Sequence, residues 1–149
     1  PSTRTPEQEF AELIKRDNVG SEELFAAYDK LAPIPIDKVV GSWKGGSVNT
    51  GHPTQEILKS MSWAGKDFHS SENVDPIMIY NAEGERVWES KWGHARLRQV
   101  EFRGKVSTAM IYDDHPIIDY FRYVNDDLIA GAMDAKTFPG GTYFFYLHK

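Results

Sequence analysis

The stretch "IYDDHPIIDYFRYV", residues 111–124, gathers the groups best suited to moving a proton or holding a charge. If 117–124 is a strand, Ile117, Asp119, Phe121 and Tyr123 share one face, and Ile118, Tyr120, Arg122 and Val124 share the other. Each face then carries one charge among apolar neighbours, so the interior face desolvates either Asp119 or Arg122. A desolvated charge needs a partner. One reading is an internal ion pair or a backbone-bonded carboxylate that fixes strand register. The other is a charge that meets the polar head of a ligand, with Tyr120 as a further contact, or a carboxylate of raised pKa that serves as acid or base. Asp113 and His115 precede Pro116 in a turn. They read either as turn formers or as a proton-transfer pair at the rim of a closed sheet.

Other segments supply candidate contacts. In "HARLRQVEF", His94, Arg96 and Arg98 lie on one strand face, followed by Val100 and Phe102. That pattern fits a carboxylate- or phosphate-binding end of an apolar pocket, and equally a solvated edge. "SWAGKDFHS" brings Trp63 and Lys66 together; Lys66 either pairs with a carboxylate, the protein's or a ligand's, or stands in water. Asp134, with Lys136 in "GAMDAK", admits the same two readings. The five histidines, at 52, 69, 94, 115 and 148, show no metal-ligand spacing. There is no cysteine and no Gly-x-Ser-x-Gly elbow, so nucleophilic hydrolysis has few candidates. No metal and no cofactor are expected.

The elements that must position these groups fall into a helical front, residues 1–33, and a sheet-forming remainder, 39–149. In "TPEQEFAELIKR", Thr5 is placed to cap, Pro6 to open the helix and Gln8 to close a capping box. In "GSEELFAAYDKLAP", Ser21 caps and Pro33 ends the element. These two helices are expected to form a lid or plug over a sheet. From Val39 onward, short segments rich in Val, Ile, Tyr, Phe and Trp alternate with turn signals such as "NAEGE", "NDD" and "FPGG". They predict seven or eight mostly antiparallel strands, with one helical turn or two at "PTQEILKSM". The fold class is therefore α+β, mostly β: one domain, with two N-terminal helices on an antiparallel up-and-down barrel that can hold one small ligand, as lipocalins do. "TYFFYLHK" puts aromatics on both faces, so its outer face must meet the helices or a partner subunit, a possible homodimer.

Composition narrows the class of partner. A net charge of −5 argues against nucleic acid, which requires a basic face. No apolar run approaches the ~20 residues that span a bilayer, and no secretory leader stands at the start. A soluble, cytoplasmic protein is expected.

The segment "VVGSWKGGSVNTGHP", residues 39–53, has too many glycines for an ordinary strand, and it is no phosphate loop, since Lys44 lies inside the strand and no Gly-Lys-Ser/Thr run follows. Gly41 and Gly45 instead permit a bend or bulge, and Trp43 can plug a barrel end. "GSWKG" resembles the signature of the GXWXG-domain family. The likeness extends to "GH" at 51–52, "WAGKDF" at 63–68, "WGHARLRQVEFRG" at 92–104, "IYDDHPIIDYFR" at 111–122 and "GAMDAK" at 131–136. The second half is similar to the domain of unknown function that commonly follows GXWXG. The resemblance implies a lipocalin-like barrel and no particular activity. In such barrels an arginine stacks on the closing tryptophan, which makes Arg96 or Arg122 a candidate partner for Trp43. The function expected is binding of a small, largely apolar molecule with one polar or anionic group. Three alternatives stand beside it: a cofactor-free lyase or isomerase using Asp119 or the Asp113–His115 turn; a haem-binding barrel, since the nitrobindins begin with a similar glycine–tryptophan run; and an assembly protein with a filled interior.

Overall fold

The computed structural model describes residues 4–137 and 141–149. Helix α1 (Pro6–Leu13) starts with the expected capping box: the Thr5 hydroxyl accepts from the Gln8 amide, and the Gln8 side chain accepts from the Thr5 amide. Helix α2 (Ser21–Asp29) departs from expectation at its start. Gly20 is the N-cap and Ser21 is already helical, so no side chain caps this end. Phe10 and Leu13 of α1, and Leu24, Ala27 and Tyr28 of α2, are buried at helical spacing. A single turn, α3 (Ile36–Val39), leads into the sheet.

Among the described residues nine strands follow: β1 (Gly41–Ser47), β2 (Trp63–Phe68), β3 (Val74–Tyr80), β4 (Arg86–Trp88), β5 (Ala95–Phe102), β6 (Lys105–Tyr112), β7 (Ile117–Asn125), β8 (Leu128–Ala135) and β9 (Tyr143–His148). Eight close into a barrel, β1-β2-β3-β5-β6-β7-β8-β9 and back to β1, with every pair antiparallel. β4 pairs only with β3, outside the ring, through the hairpin turn in which Gly84 adopts φ 78°. Arg103 and Gly104, at φ 53° and 82°, form the two-residue β5–β6 turn, where both loop residues must be left-handed. The "FPGG" turn signal falls largely on residues 138–140, outside the described residues.

The barrel has a core on each side of its wall. Inside lie Trp43, Phe68, Leu97, Met110, Phe121 and Phe145 with their neighbours. Outside, α1 and α2 pack on the wall over Val124, Ala130, Ala132 and Phe144. The Phe144 ring lies 4.8 Å from that of Phe25 and 6.1 Å from that of Tyr28. The two helices therefore flank the barrel and do not plug an end, and it is they that cover the outer face of β9 at Phe144. The end near Ile117 is covered instead by α4 (Pro53–Ser60), the short helix expected after His52.

The glycines of β1 and β2 serve close approach. The Trp63 ring lies on Gly45, where a Cβ would sit 2.3 Å from a ring carbon. Gly65, at φ 120°, leaves a Cβ only 1.9 Å from the Trp43 carbonyl oxygen, so that position accepts no side chain. Register breaks on both sides of Gly65 mark a β-bulge. The Arg86 guanidinium, reaching across from β4, donates to the Trp43 carbonyl at 2.8 Å and to Asp67 at 2.5 Å. The bulge has a direct consequence for the site. Trp63 and Lys66 are three residues apart and would face opposite ways on a regular strand, yet here both line the barrel interior.

Candidate functional site

One cavity opens inside the barrel beneath α4. It encloses about 30 Å³ of space open to the centre of a water molecule, enough for about two waters. The expected hollow is thus mostly filled by side chains, and what remains is narrow. Thr54, Ile57 and Leu58 of α4 cover it, with Ile57 at the mouth, 39% exposed. Trp92, Ile117 and Met133 line it with the barrel residues described below. His52 anchors the cover: its Nδ1 accepts from the Thr54 amide at 3.1 Å, so Nε2 carries the hydrogen donated to the Gly141 carbonyl at 3.0 Å.

At the cavity wall Lys66 of β2 meets Asp119 of β7, two strands that do not pair with each other. Lys66 Nζ lies 3.1 Å from Asp119 Oδ2, and the side chains are 3% and 2% exposed. Lys66 donates a second hydrogen bond to the Pro76 carbonyl at 3.0 Å. Rings of Trp63, Tyr112 and Phe145 surround the ammonium at 5.7, 5.8 and 5.3 Å from their centroids. Burial pushes the Asp119 carboxyl above its ordinary range and the Lys66 ammonium below its own; each charge opposes the other's shift. Among the described residues, Asp119 Oδ1 and Thr54 Oγ1 are buried and make no hydrogen bond. The Tyr112 phenol is pushed well above its ordinary value by burial, and so is that of Tyr143, whose hydroxyl bonds Ser47. The arrangement is a small, largely apolar chamber lined by one ion pair, two phenols, and two residues, Asp119 and Thr54, each with a buried oxygen that makes no hydrogen bond.

Residues 26–84 match the family described as GXWXG protein, and residues 93–149 match a domain of unknown function, DUF4334. A crystal structure of a protein from Thermomonospora curvata shares 41% identity over 98% of this chain and 99% of that one, and superposes with a TM-score of 0.91. The chain belongs to the GXWXG family. No curated protein matches it.

In this GXWXG barrel the signature tryptophan seals an end rather than lining the cavity. Trp43 is 2% exposed, donates Nε1 to the Val39 carbonyl at 2.8 Å, and lies toward the Tyr123 end of β7. The cation over its ring is Lys149, at 4.0 Å, and neither Arg96 nor Arg122. Of the residues singled out in the sequence, the cavity brings together Trp63, Lys66 and Asp119. The others are elsewhere. Arg96 pairs with Asp113 at 2.8 Å and Arg98 with Glu72 at 2.9 Å on the outer surface, because the inward positions of β5 are Ala95 and Leu97. His94 stacks on Trp88 and bonds Asp75, also outside. His115 lies against the rings of Tyr112 and Trp92 without lining the cavity, so no Asp113–His115 pair reaches it.

Tyr120 stacks on Phe102 at 3.9 Å on the outer face, and Asp134 is exposed. Arg122 is buried, but beneath α2. Its guanidinium donates to the carbonyls of Tyr28, Asp29, Leu31 and Phe102 at 2.9–3.4 Å, and lies over the Tyr28 ring. Both charges of β7 are therefore desolvated, since both faces of the strand are covered.

The sequence reading did not pick out Thr54, Trp92, Tyr112, Tyr143 or Phe145. The spacing of Thr54, Ile57 and Leu58 on a helical face was a usable signal, as was the alternation of Tyr143 and Phe145 along β9. No histidine lines the cavity among the described residues, and about 30 Å³ admits no macrocycle, so the chamber does not fit a haem. Nor do the described residues include a group of three or more His, Cys, Asp or Glu side chains placed to hold a metal.

Proposed function

We propose that the cavity binds a small, largely apolar molecule, with its one polar group at the Lys66–Asp119 pair and its apolar part running toward Ile57. The observation that carries this reading is the unpartnered Oδ1 of Asp119, a residue that lines a largely apolar chamber. A buried carboxylate oxygen without a donor is costly, and a ligand hydroxyl or amine relieves that cost. The net acidity of the chain and its outward-facing arginines, already paired, argue for a compact neutral ligand over a polyanion. The test is an NMR titration with 1-butanol that follows the Trp63 and Trp92 indole N–H signals. Saturable shifts with a Kd of about 1 mM or tighter, about −4 kcal/mol, are expected. Signals that stay put would end the reading.

A second reading draws on the raised carboxyl of Asp119 facing the same chamber. Such a group can take a proton from one atom of a bound substrate and return it to another, as an isomerase or lyase without cofactor requires. Asp119→Asn separates the two: its side-chain oxygen can still accept from a ligand, so the folded variant keeps binding within a few-fold, while turnover is lost only if the carboxyl moves the proton.

A further inference from the structure

We propose that Lys66 forms a reversible imine with a small aliphatic aldehyde that enters the cavity beneath α4. This inference rests on the binding reading above and names the class of ligand. Three observations support it. First, Lys66 is the only basic side chain lining the cavity among the described residues, and Asp119 and the Pro76 carbonyl hold its Nζ from fixed directions. Second, the chamber is narrow and largely apolar, and its size suits a carbonyl group, with the chain leading out past the half-exposed Ile57. Third, Asp119 lines the same chamber beside the amine and its buried Oδ1 makes no hydrogen bond, so a carboxyl stands where the steps of condensation need a group that gives and takes a proton.

An exposed lysine at neutral pH is almost wholly protonated and lacks the lone pair to attack a carbonyl. Lys66 is different. At 3.1 Å the proton of the ion pair can pass from Lys66 to Asp119, since burial disfavours both charges and so lowers the cost of the neutral amine and carboxylic acid. The rings of Trp63, Tyr112 and Phe145 surround the amine, and the other side chains lining the cavity, apart from Asp119, are uncharged, so none brings a second full charge.

The chemistry balances without a further reagent. The Nζ lone pair attacks the carbonyl carbon, and the oxygen takes the proton held by Asp119. The nitrogen then returns a proton to Asp119, and the hydroxyl leaves with that proton as water. Amine, carboxylic acid and aldehyde thus become a protonated imine, a carboxylate and water, with the new cation paired to Asp119.

The experiment uses the full chain, butanal and cyanoborohydride near neutral pH, which fixes each imine as a butyl amine that peptide mass mapping locates. Lys66 is expected to be modified about ten-fold or more faster than exposed lysines such as Lys44 and Lys59. Lys66→Arg should abolish the fast phase while circular dichroism stays unchanged. Modification spread over the exposed lysines, with Lys66 bare, would overturn the proposal. The parallel titration with 1-butanol keeps the two failures apart: if butanol binds and Lys66 stays bare, only the imine is lost. If butanol does not bind either, the cavity reading falls with it.

Discussion

Lys66 and Asp119 meet 3.1 Å apart across the inside of the barrel, from strands β2 and β7 that share no hydrogen bond. The pair ties opposite walls together and places the protein's one fully desolvated ion pair, among the described residues, at the wall of its cavity. An arrangement of this kind depends on both partners. Removing one leaves the other charge uncompensated, so Lys66→Met or Asp119→Leu alone should cost about 3–5 kcal/mol. The double variant should recover most of that loss, because two apolar side chains satisfy each other. Urea unfolding of all four proteins measures the coupling; additive losses would show that the contact contributes nothing as a pair.

The phenols of Tyr112 and Tyr143 in the barrel and of Tyr28 beneath the helices are all held above the ordinary value of 10.0 by burial. In the unfolded chain they ionise near that value. Their contribution to stability is therefore intact below pH 10 and lost as pH climbs through the range in which the unfolded chain, and not the folded one, releases protons. Phenolate absorbance of the native protein should lag behind that of the urea-unfolded protein and rise abruptly on alkaline unfolding. Tyr112→Phe should soften the alkaline loss of stability. A native titration that overlays the unfolded one would refute this.

Arg122 tests whether the second charge of β7 is structural. Its guanidinium serves four carbonyls at the end of α2 and in the β5–β6 turn region. Arg122→Met should cost about 3 kcal/mol or more, since those carbonyls lose a charged donor at once. The 1-butanol affinity of the folded fraction should stay within a few-fold, because the side chain lies outside the barrel wall. A large loss of affinity without loss of stability would move Arg122 into the site.

The two glycines beside the bulge make different demands. Gly65→Ala places a Cβ against the Trp43 carbonyl oxygen, backbone that cannot step aside, at a φ that L side chains rarely adopt. A loss of about 3 kcal/mol or more is expected. Gly45→Ala meets first the Trp63 ring, a side chain that can shift toward the cavity. That variant should fold, with altered Trp63 fluorescence and weakened butanol binding. Equal effects of the two would contradict the geometry.

Thr54 offers a cheap control. Its buried hydroxyl makes no hydrogen bond among the described residues, so Thr54→Val should be neutral or stabilise by about 1 kcal/mol in thermal unfolding. A clear loss would show that the hydroxyl has a partner in the working protein, such as a bound water.

Much of this was legible in the sequence. The capping box of α1, the short strands with their glycine turns and the barrel class follow from local chemistry, since propensity, period and turn geometry act over a few residues; the family came from the resemblance of "GSWKG" and its companion motifs. The same alternation assigned Asp119 and Arg122 to opposite faces of β7. It could not say which face mattered, because that depends on what packs against each side, and here α2 covers one while the barrel closes over the other. Nor could it bring Trp63 and Lys66 to one face. That took a bulge at Gly65, which shifts the parity of β2 and sits where the Trp43 backbone approaches too closely for a side chain. The sequence determined which elements form and which residues alternate. The meeting of Lys66 with Asp119 was decided by barrel closure alone, since only a sheet rolled shut sets β2 opposite β7.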